Sequence, residues 1–191
     1  MPIRDILQIG HPVLEARAAE VDVERIGTAQ VQGWIEDLID TMRAADGAGI
    51  AANQVGIPYR LFVMEVNDNP RYPYKPPIPL TIAINPEIKF LSDQTFPSNE
   101  GCLSVPQIRA TVERHVEIAV SYHDRRGKKQ SREVRGYSAC TWQHEYDHLN
   151  GILFPHRVRD PKTFCSWSVF QEYHQAEFAE AVGRLVKRWG A

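Results

Sequence analysis

The sequence predicts an α+β fold. Helical periodicity occurs early and late in the chain, whereas short segments rich in β-favouring residues lie between, over residues 59–66, 81–85 and 117–137. Helices and strands therefore do not alternate as they would in a doubly wound sheet. A chain of 191 residues is long enough for one substantial core and rather short for two, so we expect a single domain over residues 1–191.

Composition and charge argue against several classes of protein. Hydrophobic residues make up 43% of the chain and charged residues 24%, which is ordinary for a globular protein. The formal net charge of −2 gives no reason to expect nucleic acid or an acidic membrane surface as the main partner. No apolar run approaches the ~20 residues of a membrane span, and the start has no basic-then-apolar signal pattern, so we expect a cytoplasmic protein.

The first predicted helix covers about residues 26–45 and stops at Gly47 and Gly49. Its apolar side chains recur at helical spacing: Val31, Ile35, Leu38 and Met42. Residues 59–66 follow as a strand with many β-favouring side chains. Residues 67–80 contain five prolines, which rule out a helix and predict an extended surface loop between strands.

The middle of the chain predicts short strands. One covers residues 81–85, and another covers residues 117–124. The second pairs across a basic turn with residues 130–137, because both flanks alternate and the turn contains a glycine. We therefore expect an antiparallel hairpin ahead of the next helix.

Two further helices complete the predicted elements. Ser138 is the expected N-cap of one helix, which stops at Asn150 and Gly151. The last helix is predicted to begin at Asp160 and Pro161, a capping residue followed by proline in the first turn. Its apolar stripe contains six side chains: Phe164, Trp167, Phe178, Val182, Leu185 and Trp189.

The helix after Ser138 carries the stretch QHEYDHLNG, residues 143–151. His144 and His148 are four residues apart, so they lie on one helical face and can hold a single ion. Glu145 lies about 100° further round the axis, beside that ion. We interpret this pattern as a metal site that activates water; the alternative is a helix that merely contains two histidines.

A catalytic site of this type keeps three protein ligands, so a third ligand is needed. The metzincin pattern fails because Phe154 occupies the place of its third histidine, and His156 comes two residues too late. A zinc metallopeptidase of the gluzincin type would use a downstream glutamate, for which Glu172 is the candidate. A non-catalytic structural module would need a fourth ligand such as Cys165, and Glu145 would then have no role.

Cysteine offers other candidates for the third ligand. Three cysteines without framework spacing predict reduced thiols. Cys140 is one turn before His144, but its Cβ would lie about 12 Å from that of His148, too far for one ion. Cys102 follows a glycine that leaves its thiol accessible, and thiolate is a strong ligand for zinc or iron. Taken alone, Cys102 is more simply a small buried apolar residue.

Three motifs in order give the chain a resemblance to peptide deformylases: GAGIAANQ at 47–54, EGCLS at 100–104 and QHEYDHLNG at 143–151. The resemblance covers nearly the whole length. Asn53 and Ala48 depart from common family residues, which affects the shape of the substrate pocket rather than activity. The resemblance implies one catalytic domain of small antiparallel sheets packed around a central metal-binding helix, with a C-terminal helix.

The resemblance also implies the chemistry. The metal ligands would be Cys102, His144 and His148. Glu145 would be the general acid/base, while the Gln54 amide and the Leu103 N–H would bind the oxyanion. Hydroxide on the ion would attack the formyl group of N-terminal formyl-methionine, since a bound ion lowers the pKa of water toward ~7. The expected ion is Fe²⁺, with Zn²⁺ or Ni²⁺ able to substitute.

The partners that the resemblance implies are N-formylmethionyl nascent peptides, and it makes the ribosome near its exit tunnel a candidate partner. The glycine-rich backbone at Gly47, Ala48, Gly49 and Gly101 would allow an extended peptide to add as a strand. The remaining substrate-binding candidates are side chains: Glu100, Arg109, Tyr137, Cys140 and Thr141. Tyr137 could equally be a helix-packing residue and Arg109 a solvated strand residue, and Glu100 is expected to pair with Arg114.

Overall fold

The structure, a computed structural model, describes residues 3–67, 69 and 71–190. It confirms the α+β class. The strands are β1 (Gly49–Ala51), β2 (Leu61–Val66), β3 (Ile78–Phe90), β4 (Thr95–Cys102), β5 (Val105–His115), β6 (Glu117–His123), β7 (Lys129–Arg135) and β8 (Cys165–Ser166). The helices are α1 (Pro12–Glu15), α2 (Ala29–Ala44), α3 (Gly136–Leu149), α4 (Trp167–Val169) and α5 (Gln175–Trp189). No helix in this part of the chain is long and apolar enough to cross a membrane.

The strands form two antiparallel sheets. One has five strands in the order β1-β2-β3-β6-β7, and the other has three in the order β4-β5-β8. The predicted hairpin is confirmed, with Glu117 opposite Arg135 and His123 opposite Lys129. Strands β1 and β4 are each at the edge of a sheet, and both edges lie beside the central helix α3.

Helix α3 is buried between the five-stranded sheet and α5. On the sheet side, the Trp142 ring meets the Phe62 ring edge-on, with centroids 5.2 Å apart. On the opposite side, Tyr137 and Cys140 pack in a cluster with Phe178 of α5. Nearly every side chain of α3 is therefore buried, which holds its orientation firmly.

The start of α3 differs from the prediction that placed the N-cap at Ser138. The helix begins at Gly136, directly after β7, and Ser138 lies inside its first turn. Gly136 has a φ of +64°, a left-handed conformation that favours glycine, and its N–H donates to the Val116 carbonyl at 2.8 Å. The chain thus turns from strand to helix on one residue without a side-chain cap. The predicted end is confirmed, because α3 ends at Leu149 before Gly151 with φ +73°.

The last helix also starts later than predicted. Asp160 caps a single 3₁₀ turn over Pro161–Thr163, and the chain then extends as β8. Cys165 pairs there with Arg109 of β5, so sheet hydrogen bonding replaces the expected first helical turns. The helix itself begins at Trp167 with Ser166 as its cap.

One π-helical turn, Phe170–His174, joins α4 to α5. Phe170 is fully buried, and the four residues after it are exposed. Phe178, Val182 and Leu185 of α5 then return to the core, as predicted, whereas Phe164 of the predicted stripe lies before the helix and is exposed. The wider π turn thus connects two inward-facing segments.

The proline-rich segment and the β4–β5 pair show two more differences. Asp68 and Pro70 of the predicted loop lie outside the described residues. Residues 78–80 of that loop belong to β3, which therefore begins at Ile78 rather than at residue 81. Strands β4 and β5, which pair from Thr95 opposite His115, were not predicted.

Candidate functional site

The proposed ligand residues come together at the buried end of α3. One ligand atom each of Cys102, His144 and His148 lies within 4.8 Å of the others. The Cys102 Sγ is 3.3 Å from the His148 Nε2. Helix α3 places the two histidines on one face, and the end of β4 delivers the cysteine from the other sheet. Cys140, as expected, is not part of this cluster.

A row of buried charges orients His144. The His144 Nδ1 is 2.8 Å from the Glu100 Oε2. Arg114 donates two hydrogen bonds to the Glu100 carboxylate, at 2.8 and 2.9 Å, and a third to Asp147 at 2.6 Å. Arg157 reaches Asp147 from the surface, also at 2.6 Å. A carboxylate behind a ligating histidine fixes the orientation of the ring, which is the arrangement found here.

The ionisation of these groups follows from their neighbours. Burial would raise the pKa of Glu100, but the charge and hydrogen bonds of Arg114 hold it well below its usual value, so Glu100 is ionised. Burial would lower the pKa of His144, but hydrogen bonds to Cys102 and Glu100 raise it to about 10. Burial and the charge of His144 hold the pKa of His148 well below its usual value. The ionised Glu100 carboxylate thus places a negative charge directly behind His144, which favours binding of a cation at this imidazole.

The residues present fit a divalent metal ion. Two imidazole nitrogens and one thiolate are a donor set suited to zinc or ferrous iron, and three protein ligands leave a position open for a reactant. The neutral state favoured for His148 is the one that ligates a metal. Asn53, one of the departures from common family residues, donates to the His148 carbonyl at 2.6 Å and thereby holds the end of the ligand-bearing helix.

The Glu145 carboxylate lies beside the ligand cluster, against the backbone of β1. A Cβ on Gly49 would overlap this carboxylate, so the site needs glycine there. The Glu145 Oε2 is buried without a hydrogen-bond partner among the described residues. Burial raises the pKa of Glu145 to about 7, so the side chain can both accept and release a proton near neutral pH.

Gln54 and Leu103 approach the cluster from two further segments. The Gln54 Oε1 accepts from the Ala51 N–H at 2.8 Å, which turns its amide nitrogen toward the cysteine. That nitrogen lies 3.0 Å from the Ser104 Oγ and 3.5 Å from the Cys102 Sγ. Leu103 follows the cysteine, and its side chain is close enough to Gly47 that an added Cβ would stand 3.0 Å away. The bonds to the Ala51 N–H and the Ser104 Oγ therefore hold the Gln54 amide in one orientation.

One cavity connects these residues. Every residue predicted for the site lines it except His148, which lies deeper. Tyr137, Cys140 and Thr141 form one wall, and burial raises the pKa of Cys140 to about 12, so it remains a thiol. Arg109 lies at the same cavity, with its guanidinium carbon 4.8 Å from the Trp167 ring and 4.2 Å from the Phe170 ring. Arg109 is 2% exposed and is therefore not a solvated strand residue.

The alternative ligands lie elsewhere. The His156 Nδ1 accepts a hydrogen bond from the Leu153 N–H at 3.2 Å, in a 3₁₀ turn. Glu172 is exposed on the π turn, and Cys165 is in β8. None of these three belongs to the ligand cluster found among the described residues. The arrangement disfavours both the gluzincin-type site and the four-ligand structural site.

Sequence reasoning missed several residues of the site. Asp147 and Glu100 both accept hydrogen bonds from Arg114. Asp147 is three residues after His144, and this helical spacing could have indicated that it lies near the site. Ser104 receives the Gln54 amide, and it is part of the EGCLS motif. Tyr72 and Lys75 line the cavity from the proline-rich segment, for which the sequence carries no signal.

Comparisons with known proteins agree with this geometry. A family model described as polypeptide deformylase matches residues 3–164. The chain is 44% identical over 167 residues to peptide deformylase 2 of a Nostoc species, covering 87% of this chain and 92% of that one. It is 43% identical over 162 residues to peptide deformylase 1 of Bordetella pertussis, covering 85% and 91%.

Solved structures agree as well. A class I type b peptide deformylase from Acinetobacter baumannii, bound to Met-Ala-Ser, superimposes with a TM-score of 0.79 at 35% identity, covering 82% of this chain and 99% of that one. A peptide deformylase from Synechococcus elongatus, in complex with actinonin, gives a TM-score of 0.74 at 31% identity and covers 98% of this chain and 86% of that one. Family model, relatives and fold together show that the chain belongs to the peptide deformylase family of hydrolases.

Proposed function

We propose that this protein removes the formyl group from the N-terminal formyl-methionine of newly synthesised polypeptides, with one divalent ion held by Cys102, His144 and His148. The observation that carries the proposal is the convergence of these three ligand atoms within 4.8 Å. The buried Glu145 carboxylate lies beside them. A set of three ligands and an adjacent general base is suited to hydrolysis.

The bound ion would supply Lewis acidity, polarising the formyl oxygen and lowering the pKa of a water molecule toward ~7. We propose Fe²⁺ as the working ion, with Zn²⁺ or Ni²⁺ able to occupy the same ligands, because imidazole and thiolate suit all three. Metal analysis of anaerobically purified protein identifies the ion. If iron is present, activity decays in air and is protected by nickel replacement, whereas equal half-lives in air and argon would argue against iron and for zinc.

Glu145 moves the proton. A water molecule attacks the formyl carbon and gives a proton to the Glu145 carboxylate, which passes it to the amide nitrogen as the C–N bond breaks. The products are formate and a free N-terminal amine. A pKa of about 7 suits both halves of this task, because the carboxylate is neither too weak a base nor too weak an acid.

Gln54 and Leu103 stabilise the charge that develops on the formyl oxygen. The Gln54 amide nitrogen already faces the cluster, held there by the bond between its own Oε1 and the Ala51 N–H. The Leu103 backbone N–H would be the second donor, since this residue follows the cysteine and lines the cavity. The Gln54 N–H now directed at the Cys102 Sγ would turn to the formyl oxygen as charge develops there, while the bond to Ser104 is kept; one such donor typically contributes about 3 kcal/mol.

Two free strand edges support the binding of an extended peptide. Strand β1 carries Gly49 at one wall of the cavity, and β4 carries Gly101 at the other; within the described part of the chain each of these strands pairs on one side only. A substrate backbone would add along these edges, and the first side chain would enter the space beside Cys140 and Thr141. The Arg109 Nη1 is buried without a hydrogen-bond partner among the described residues, so it would be available to donate to the peptide.

The deciding experiment measures formate release from formyl-Met-Ala-Ser by anaerobically purified protein. Substitution Cys102→Ser tests the ligand set, because loss of one of three ligands should sharply reduce the metal content. A metallopeptidase that relied on another ligand would keep its metal in this variant. Protein that holds its ion but releases no formate would contradict the proposed reaction.

We also propose the cellular setting and domain organisation. Residues 1–191 would form one catalytic domain, because Phe178 of α5 packs against α3 beyond the end of the family match. We place the protein in the cytoplasm, acting on nascent chains near the ribosomal exit tunnel. The end of the last helix exposes Lys187 and Arg188, which suit contact with phosphate groups of ribosomal RNA. Cosedimentation with ribosomes that is lost at high salt would support this contact.

A further inference from the structure

Lys75 brings a positive charge to the wall of the cavity. It belongs to the proline-rich segment, yet its ammonium group lies at the inner wall, where the Nζ donates to the Thr141 Oγ1 at 3.2 Å. The same nitrogen is 5.0 Å from the centroid of the Tyr72 ring and 5.4 Å from that of Tyr137. These distances are typical of cation–π contacts, so the charge is held by two aromatic faces.

The local backbone holds Lys75 in this position. The Tyr72 N–H donates to the Asn69 carbonyl at 3.0 Å, and the Lys75 N–H donates to the Tyr72 carbonyl at 2.9 Å, which makes two successive turns. The Tyr72 ring meets the Trp167 ring edge-on at 6.2 Å. The segment is thus anchored to α4, and the lysine is directed inward rather than to solvent.

The ammonium retains unused donors. Burial lowers the pKa of Lys75 to about 8, while Glu100 favours the charged form, so the side chain is mainly an ammonium at neutral pH. An ammonium has three N–H donors. Thr141 is its hydrogen-bond acceptor among the described residues, which leaves two donors for water or for a ligand in the cavity.

We propose that Lys75 is a specificity-determining residue that gives the pocket for the first substrate side chain a cationic, hydrogen-bond-donating end. This rests on the proposed function, in which that side chain lies beside Cys140 and Thr141. Besides methionine, the pocket would then favour N-formyl substrates whose first side chain carries an acceptor oxygen near its end over hydrocarbon side chains of the same length. N-formylmethionine sulfoxide is such a substrate, because its chain has the length of methionine and a strong acceptor in place of a weak one.

The test compares two tripeptides of equal chain length. Formyl-methionine sulfoxide-Ala-Ser carries the acceptor, whereas formyl-norleucine-Ala-Ser carries only hydrocarbon. Lys75→Met keeps an unbranched side chain but removes the charge and all three donors. We expect the ratio of kcat/KM for the sulfoxide over norleucine to fall by about tenfold or more in this variant, because a hydrogen bond to a charged group is lost.

Lys75→Arg provides the matched control. It keeps the positive charge and the donors, so it should retain most of the wild-type ratio. Binding of the deformylated peptides, Met(O)-Ala-Ser and norleucine-Ala-Ser, measured by calorimetry, should show the same preference and the same loss in Lys75→Met. An unchanged ratio in Lys75→Met, or an equal loss for both peptides, would overturn the proposal and leave Lys75 as a residue that only holds its loop.

The outcome is separable from that of the proposed function. Formyl-Met-Ala-Ser is measured alongside with wild-type protein and both variants. If wild-type protein releases no formate from it, the proposed function fails. If it does release formate and the sulfoxide ratio is insensitive to the lysine, only the role of Lys75 fails.

Discussion

Two regions of different construction face each other across the cavity. The motif region comprises residues 47–54, 100–104 and 143–151, and the cover comprises residues 71–77 and 167–174. In the motif region, short hydrogen bonds and buried ion pairs hold each reactive group, as with Glu100 between Arg114 and His144. In the cover, rings and cations meet at 4.2 to 6.4 Å: the Arg71 guanidinium lies over the Trp167 ring, and the Tyr72 ring meets that ring edge-on.

This difference assigns separate tasks to the two regions. A buried charge that loses its partner is costly, so the motif region tolerates little change. Contacts between rings and cations contribute from about 0.5 kcal/mol at exposed sites to about 2 kcal/mol where they are desolvated, which is less than the loss of a buried ion-pair partner, so the cover can vary more readily. We therefore expect substitutions in the motif region to affect the chemical step, and those at the inward-facing residues of the cover, such as Lys75 and Trp167, to affect which substrates are bound.

The largest effect is expected for Glu145→Gln. The amide fills the same space beside Gly49 but cannot accept or return a proton, so kcat should fall by about 10³-fold, while metal content and fold are retained. Formate release and metal analysis on the same sample measure both. Activity within a few-fold of wild type would remove Glu145 from the mechanism and weaken the contrast between the two regions.

Gln54 should follow closely. Gln54→Ala removes one donor to the developing oxyanion, so kcat should fall by about 10²-fold to 10³-fold with little change in KM. Gln54→Glu should be worse, because it adds a negative charge where negative charge develops. Steady-state kinetics on formyl-Met-Ala-Ser decide this, and a normal kcat for Gln54→Ala would return the residue to a purely structural role.

A third prediction concerns the charge network behind His144. Glu100→Gln leaves Arg114 with one carboxylate fewer in a buried position, so unfolding of metal-free protein should require about 3 kcal/mol less. Metal affinity, measured by chelator competition, should fall by about 10-fold to 100-fold.

Glu36→Gln is the matched control for this change. It breaks the Arg125–Glu36 pair, in which both side chains are nearly 40% exposed, with the Arg125 Nη2 2.6 Å from the Glu36 Oε1. An exposed pair contributes about 0–1 kcal/mol, so the control should unfold near the wild-type urea midpoint. Equal losses in the two variants would show that burial does not distinguish these ion pairs.

The smallest effect is expected in the cover. Trp167→Ala removes the ring that contacts Arg71, Tyr72 and Arg109, so KM should rise by about threefold to tenfold while kcat changes little. Tyr173→Ala, at a side chain 67% exposed on the same segment, should leave both constants unchanged. A hundredfold loss of kcat in Trp167→Ala would place the cover in the catalytic machinery.

The sequence predicted the parts of this molecule that depend on local spacing. The i and i+4 spacing of His144 and His148 gave their common face, and Gly151 gave the end of α3. Strand β4 was not predicted because some of its inward-facing residues are polar. Ser98 and Glu100 face inward together with Phe96 and Cys102, so the sequence does not alternate between apolar and polar residues.

Long-range contacts explain the remaining differences. Glu100 and His144 are 44 residues apart, and no local pattern announces their hydrogen bond. The prediction that the last helix begins at Asp160 was wrong because Cys165 pairs with Arg109 in the sheet. Local capping residues do not indicate that strand pairing competes with helix formation at this point. The role of Lys75 could not be predicted from the sequence, because its side chain points inward only when its loop is anchored to Trp167 through Tyr72.

The π-helical turn at Phe170–His174 has a consequence for insertions and deletions. Removing one residue from this turn would rotate the helix that follows by about 100° relative to Phe170, which is fixed beside Arg109. Phe178 and Val182 would then point away from α3 and into solvent. Residues 171–174 are all exposed, so their side chains can be exchanged with little penalty, but their number cannot change.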